Sequence, residues 1–126
     1  LLIYLLGGLY LVEDERITQL IAEACLEEKA IDVVILDVKD LTIIADYFVL
    51  ASGRNTMHVK SIIDNVEKKL WEKDIKPLRR EGQQQGLWAV LDYNSVLLHV
   101  FRQQEREYYD LENLWGDARQ IPIIGL

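Results

Sequence analysis

Leu87-Trp-Ala-Val-Leu-Asp-Tyr-Asn-Ser-Val-Leu-Leu-His-Val-Phe101 is the stretch whose reading decides the fold. It divides into two strand-like runs, Leu87–Asp92 and Ser95–Phe101, with Tyr93-Asn94 as the turn. Asn tolerates the left-handed conformation that a tight hairpin turn requires. Successive side chains of a strand point to opposite faces, so the turn settles which residues share a face. One face collects Leu87, Ala89, Leu91, Val96, Leu98 and Val100, is wholly apolar, and must be covered by protein. The other collects Trp88, Val90, Asp92, Ser95, Leu97, His99 and Phe101. Asp, Ser and His are poor choices for a sheet buried on both sides. That face therefore reads either as a solvated face crossed by an amphipathic Trp or as a recognition surface, since aromatics beside a few polar groups make interface centres.

Outward from the hairpin, the chain reads as a single domain. Its 126 residues, half of them hydrophobic and 28% charged, suffice for a real core. Glu13-Asp14-Glu15 places negative charge where a helix N-terminus favours it, and a helix to about Lys29 follows with its stripe at Ile17, Leu20, Ile21 and Ala24. Val33–Val38 is a nearly continuous β-branched run, the mark of a strand covered on both faces. Tyr47–Ala51 is a second strand, closed by Ser52-Gly53, and Asn55 or Thr56 caps a second helix with apolar positions Val59, Ile62, Ile63, Val66 and Leu70. Asp64 and Lys68 have ion-pair spacing on its wet side. Pro77 confines the run Ile75–Arg80 to a sheet edge, and Gly82–Gly86 is a loop. After the hairpin, Arg102–Ala118 reads as one helix with Tyr108, Leu111 and Trp115 on one side, ending at Gly116.

The ends read differently. Leu1–Val12 is apolar throughout, too short to span a bilayer, and without the basic start of a signal peptide. It is expected to pack on this domain or on a second copy. The organisation is thus an apolar N-terminal extension (1–12), a domain (13–118) and an apolar C-terminal tail (119–126).

Charge narrows the partners. The net charge is −7, with acids outnumbering bases at both ends and bases outnumbering acids between residues 41 and 80. Such a chain is ill suited to sequence-independent nucleic-acid binding and better suited to docking on a basic protein. Its single cysteine, Cys25, lies on the apolar stripe of the first helix and reads as a buried small hydrophobe.

Enzymatic signals are thin. Ser52-Gly53 before a helix, with Arg54 and His58 nearby, has the look of an anion-binding corner. A metal-dependent transferase would also need carboxylates at i and i+2 on one strand, and none of the expected strands carries such a pair. His58 and His99 have no ligand spacing. His99 shares a face with Asp92, with Ser95 the one available nucleophile, which is a meagre dyad; a hydrogen-bonded structural or interface role suits it better.

Several motifs together resemble the ribosomal silencing factor family, also called Iojap-related. They are ADYFVLASG (Ala45–Gly53), His58-Val59, PLRREG (Pro77–Gly82), WAVLDYNSVLLHVF (Trp88–Phe101) and YYDLENLWGDA (Tyr108–Ala118). The resemblance runs from about Arg16 to Ala118, and Leu1–Val12 and Ile121–Leu126 match none of its motifs. It implies an α/β (mixed α+β) fold, a single-domain mixed β-sheet flanked by helices, nucleotidyltransferase-like but without catalysis. It further implies docking on the fourteenth protein of the large ribosomal subunit and a block to joining of the small subunit. The contact surface would centre on Trp88, Asp92 and Tyr93, with Glu81, Tyr109, Asp110 and Glu112 around it and His99 beside them. No catalytic residue, metal or cofactor is expected, nor a membrane or small-molecule substrate, and contact with ribosomal RNA is at most peripheral. A homodimer and a bacterial cytoplasmic location go with the resemblance. The competing expectation is a nucleotide-binding or nucleotidyltransferase enzyme with its metal site in an unrecognised place.

Overall fold

A computed structural model describes residues 3–126. The chain runs β1 (Ile3–Leu6), β2 (Leu9–Val12), α1 (Glu13–Glu27), β3 (Ile31–Asp37), β4 (Tyr47–Gly53) and α2 (Thr56–Trp71). It continues with β5 (Arg79–Glu81), β6 (Trp88–Asp92), β7 (Val96–Arg102), α3 (Gln103–Tyr109), α4 (Leu111–Leu114) and β8 (Arg119–Ile121). Six strands form one mixed sheet in the order β5-β6-β7-β4-β3-β8, in which β4 and β7 are parallel and every other pair is antiparallel. The expectation of a mixed α/β sheet flanked by helices holds.

Local chemistry explains the elements. Glu15 reaches back to accept the Val12 N–H at 3.0 Å, satisfying a donor that the start of α1 leaves free. The Asn55 side chain accepts from the His58 N–H at 2.8 Å and caps α2. Val59, Ile62, Ile63, Val66 and Leu70 of α2 are all fully buried, each burial stabilising the fold by about 1.5–3 kcal/mol. They meet Ile21, Ala24 and Cys25 of α1 and the apolar hairpin face, Ala89, Leu91, Leu98 and Val100, in the main core. Burial pushes the Cys25 thiol up to about 12, so it is the inert small hydrophobe its position implied. The sequence pattern of β4, apolar without alternation, matches its place: all seven residues are buried.

Several expectations need correction. The hairpin turn is Asn94-Ser95, one residue later than expected: Leu91 pairs with Leu98, and the Tyr93 N–H donates to Val96. The faces survive because the two registers keep the same parity. Asn94 does take the left-handed conformation, at φ 73°. Leu87 lies just outside the strand, on the exposed side of the boundary. The mixed face is only partly open to solvent. Part of it belongs to a second buried cluster, formed by Leu36, Val38, Ala45, Phe48, Leu50 and Phe101, with Leu111 and Trp115 packed on top. The expected single helix from Arg102 to Ala118 is broken at Asp110, which adopts a left-handed conformation (φ 49°) between α3 and α4. Tyr108, in α3, is exposed and does not join Leu111 and Trp115 on the second cluster. Asp64 and Lys68 do not come within ion-pair distance; Lys69 instead approaches Glu27 of α1 at 3.6 Å.

Residues 119–126 are more than a tail. β8 pairs with β3 and closes one edge of the sheet, and Ile121 and Ile123 pack on the main core. Gln19 of α1 grips this segment at both sides, donating to the Pro122 carbonyl and accepting from the Ile124 N–H, each at 3.0 Å. Within the expected extension, Ile3–Val12 forms a separate β1–β2 hairpin, and Leu1 and Leu2 lie outside the described residues. The hairpin packs on this domain: the Arg16 guanidinium lies 4.1 Å from the centre of the Tyr4 ring. Ile3, Leu5 and Tyr10 remain exposed on its outer side.

Candidate docking surface

The sheet has one edge where the second cluster is incompletely covered. Cross-strand registers place Glu81, Val90 and His99 in one row of the mixed face, and Arg79, Asp92, Leu97 and Phe48 in the next. Trp88 pairs with Phe101 at the start of the same face. α3 and α4 cover the β4 side of this face, so Trp88, Val90 and Leu97 are left half-buried near the β5 edge.

Trp88 is held on three sides. Its ring stacks on Phe101 (centroids 5.0 Å apart, planes at 27°), and Tyr109 of α3 packs against it at 4.6 Å. Its indole N–H donates to Nδ1 of His99 at 3.2 Å. Because Nδ1 accepts, the proton of the neutral imidazole sits on Nε2, which is buried without a hydrogen-bond partner. Burial lowers the His99 pKa to about 4, so the ring is neutral near pH 7. Tyr109 itself is 47% exposed. The result is an aromatic platform, with Phe101 stacked on Trp88 and Tyr109 tilted against it, and with its outer rim in water.

The residues expected around Trp88 separate into two groups. Glu81 and Asp110 are exposed and unoccupied by ion pairs, and Trp88 and Tyr109 form the platform. The other four are engaged elsewhere. Asp92 accepts from Nε and Nη2 of Arg79 at 3.3 and 3.0 Å and from the Asn94 N–H at 2.8 Å. Glu112 spends both carboxylate oxygens on Arg106, at 3.3 and 2.8 Å. Tyr93 is 6% exposed and faces the main core, with its hydroxyl unpaired there and its ionisation suppressed by burial. His99, at 8% exposed, supports Trp88 from below. Placing Tyr93 in the turn was the error: with the turn one residue later, Tyr93 becomes the last paired residue of the apolar face.

Arg106 went unnoticed in the sequence. It is 8% exposed and donates to the Ile31 carbonyl (3.3 Å), to Ser52 Oγ (3.0 Å) and to Glu112. A lone Arg in a charged helix carries no mark of burial, and Glu112, six residues on, is outside the three- or four-residue spacing of a helical ion pair.

The anion-binding corner is filled by the protein. Ser52 Oγ is bonded to Arg106, His58 Nδ1 accepts from the Arg54 N–H at 3.0 Å, and His58 Nε2 bonds the Glu28 carbonyl at 2.7 Å. His99 and Asp92 make no hydrogen bond to each other, so the dyad does not assemble. Among the described residues no three His, Cys, Asp or Glu side chains group as metal ligands. A cleft of about 500 Å³ lies under the N-terminal hairpin, away from Trp88, lined by Leu9, Leu11, Ile121 and Ile124. Its cations, Lys39 and Arg119, are already paired with Asp37.

The model of a family described as "Ribosomal silencing factor during starvation" matches residues 12–125. The match takes in β8 and most of the C-terminal segment, which the sequence motifs had left unplaced. A Halalkalibacterium halodurans protein named ribosomal silencing factor RsfS is 36% identical over 91% of this chain and 98% of its own. A crystal structure of a Chromobacterium violaceum protein superposes with a TM-score of 0.81, at 32% identity, covering 91% of this chain and 94% of that one. A more distant mouse relative, named mitochondrial assembly of ribosomal large subunit protein 1, is 29% identical over 71% of this chain and 40% of its own.

Proposed function

This chain belongs to the ribosomal silencing factor family, and from that premise we propose that it docks on the large ribosomal subunit through that subunit's fourteenth protein. Bound there, it blocks joining of the small subunit and so represses translation. The observation that carries the reading is the Trp88–Tyr109 platform, aromatic at its centre and half-open at a sheet edge. Interface hot spots have this character: a rigid aromatic anchor, fixed from behind and exposed in front. Val90 and Leu97 extend the apolar centre, and Glu81 and Asp110 supply an acidic rim suited to a basic partner. Trp88, Tyr109, Glu81 and Asp110 are the contact residues in this reading. Tyr93 and His99 act from inside the fold, and Asp92 and Glu112 shape the surface through their arginine partners.

The protein works as a binding protein rather than an enzyme, in the cytoplasm of a bacterium. No helix among the described residues is long and apolar enough to cross a membrane. The nucleotidyltransferase reading has no observation in its favour, since the Ser52 and His58 groups that would hold a phosphate are bonded to Arg106, Arg54 and Glu28.

Co-sedimentation with purified large subunits, with and without small subunits, tests the proposal. The chain should pellet with large subunits and lower the yield of joined ribosomes. Failure to pellet, or pelleting that leaves joining unchanged, overturns it. Calorimetry with ATP, CTP and GTP should show no Mg²⁺-dependent site.

A further inference from the structure

We infer that Arg106 is the positioning residue of the docking surface: it touches no partner, yet its guanidinium holds Tyr109 against Trp88. The inference rests on the docking reading above. Four elements converge on this one side chain. It belongs to α3, reaches the Ile31 carbonyl of β3 and Ser52 Oγ of β4, and clasps both oxygens of Glu112 at the start of α4.

The segment it holds is short, and its other fixings are the Arg102–Glu105 ion pair at the start of α3 and the partly buried Leu111 and Trp115. α3 has seven residues and α4 four, far short of the roughly 12–15 an isolated helix needs to persist in water. Arg106 is the one buried residue of α3, and α4 has none. Between them Asp110 sits in a left-handed conformation that non-glycine residues adopt reluctantly. Leu111 and Trp115 pack partly on the second cluster, but apolar packing alone does not set the rotation of a short helix. A planar fork bonded to two groups of the sheet, the Ile31 carbonyl and Ser52 Oγ, and tying Glu112 of α4 to them, does. Tyr109 follows Arg106 by three residues on the same helix, so the grip on one places the ring of the other, 4.6 Å from Trp88. Glu112 thereby serves the platform from beneath, with both oxygens committed to Arg106.

Two variants test this in the full chain. Arg106→Lys keeps the charge and loses the fork; Glu112→Gln weakens one arm at a half-open position and leaves the bonds to Ser52 and Ile31. Both should melt cooperatively and lose the NOE between the Tyr109 and Trp88 rings. Both should bind purified large subunits about tenfold or more weakly, the scale on which hot spots act. Adding Tyr109→Ala to Glu112→Gln should cost no more than about a further twofold, because residues acting through one another are not additive. An unchanged NOE and unchanged affinity, or losses that multiply in the double variant, overturn the inference. Should Arg106→Lys fail to fold, the Glu112→Gln cycle decides. Should the unaltered chain not bind large subunits, the docking reading falls, and the NOE still reports whether Arg106 places Tyr109.

Discussion

The Trp88 indole N–H points inward, to Nδ1 of His99 at 3.2 Å, while the edge of the same ring faces solvent. A buried, neutral imidazole thus supports a half-buried aromatic ring. The bond fixes the ring before any partner arrives, which lowers the ordering cost of binding. It also ties the proposed docking surface to the protonation of a group that the solvent barely reaches.

Acid should expose that tie. The folded pKa of His99 is about 4, below the ordinary value of 6.5. Its contribution to stability is therefore fully present above about pH 6.5 and is lost as pH falls towards 4, because the unfolded chain takes up the proton first. The span corresponds to about 3 kcal/mol at most. Melting temperatures measured from pH 7 to pH 4 should fall for the wild type and fall less steeply for His99→Gln. Equal slopes would remove His99 as the cause.

Trp88→Ala and Leu98→Ala should separate anchor from core. Leu98 is fully buried between the helices and the sheet, and its truncation should cost about 2–5 kcal/mol of stability. Trp88 is half-buried, so its loss should cost less than the roughly 3–5 kcal/mol of an emptied aromatic core site. Its effect on binding to large subunits should be the greater, about 2 kcal/mol or more. Melting curves paired with co-sedimentation decide it, and the reverse pattern would show the faces of the hairpin to be misread.

Tyr93→Phe removes a buried hydroxyl that has no partner. Deleting an unsatisfied polar group is neutral or stabilising. The variant should melt no lower than wild type and bind large subunits equally well; a binding defect would return Tyr93 to the contact surface.

The acidic rim should respond to salt. Exposed charges are screened over about 8 Å at physiological ionic strength, so association should slow as salt rises. Asp110→Asn is the suitable probe, because Asn tolerates the left-handed backbone that Asp110 adopts, whereas Lys would disturb it. Together with Glu81→Gln it should slow association and flatten the salt dependence, leaving the melting temperature within a few degrees. Stopped-flow binding indifferent to salt in wild type and variants alike would count against the rim.

How much of this was legible depends on the range of the interaction involved. The helix stripe from Val59 to Leu70, the Asn55 cap, the buried run of β4 and the two faces of the hairpin follow from periodicity and neighbouring residues, and the sequence by itself determined them. The turn position was open by one residue because both registers preserve the faces, and only pairing of Leu91 with Leu98 selected between them. The partial covering of the mixed face was decided by tertiary structure, since β4 sets Phe48 beside Leu97 and Trp115 comes from a distant part of the chain to pack on Phe48. The break at Asp110 and the burial of Arg106 were decided there too. A helical pattern continues straight through Asp110 on paper, and the acceptors of the Arg106 guanidinium lie on β3 and β4, some 50 to 75 residues away in sequence. Side-chain periodicity records which face must be dry. It does not record where an arginine will find its oxygen atoms.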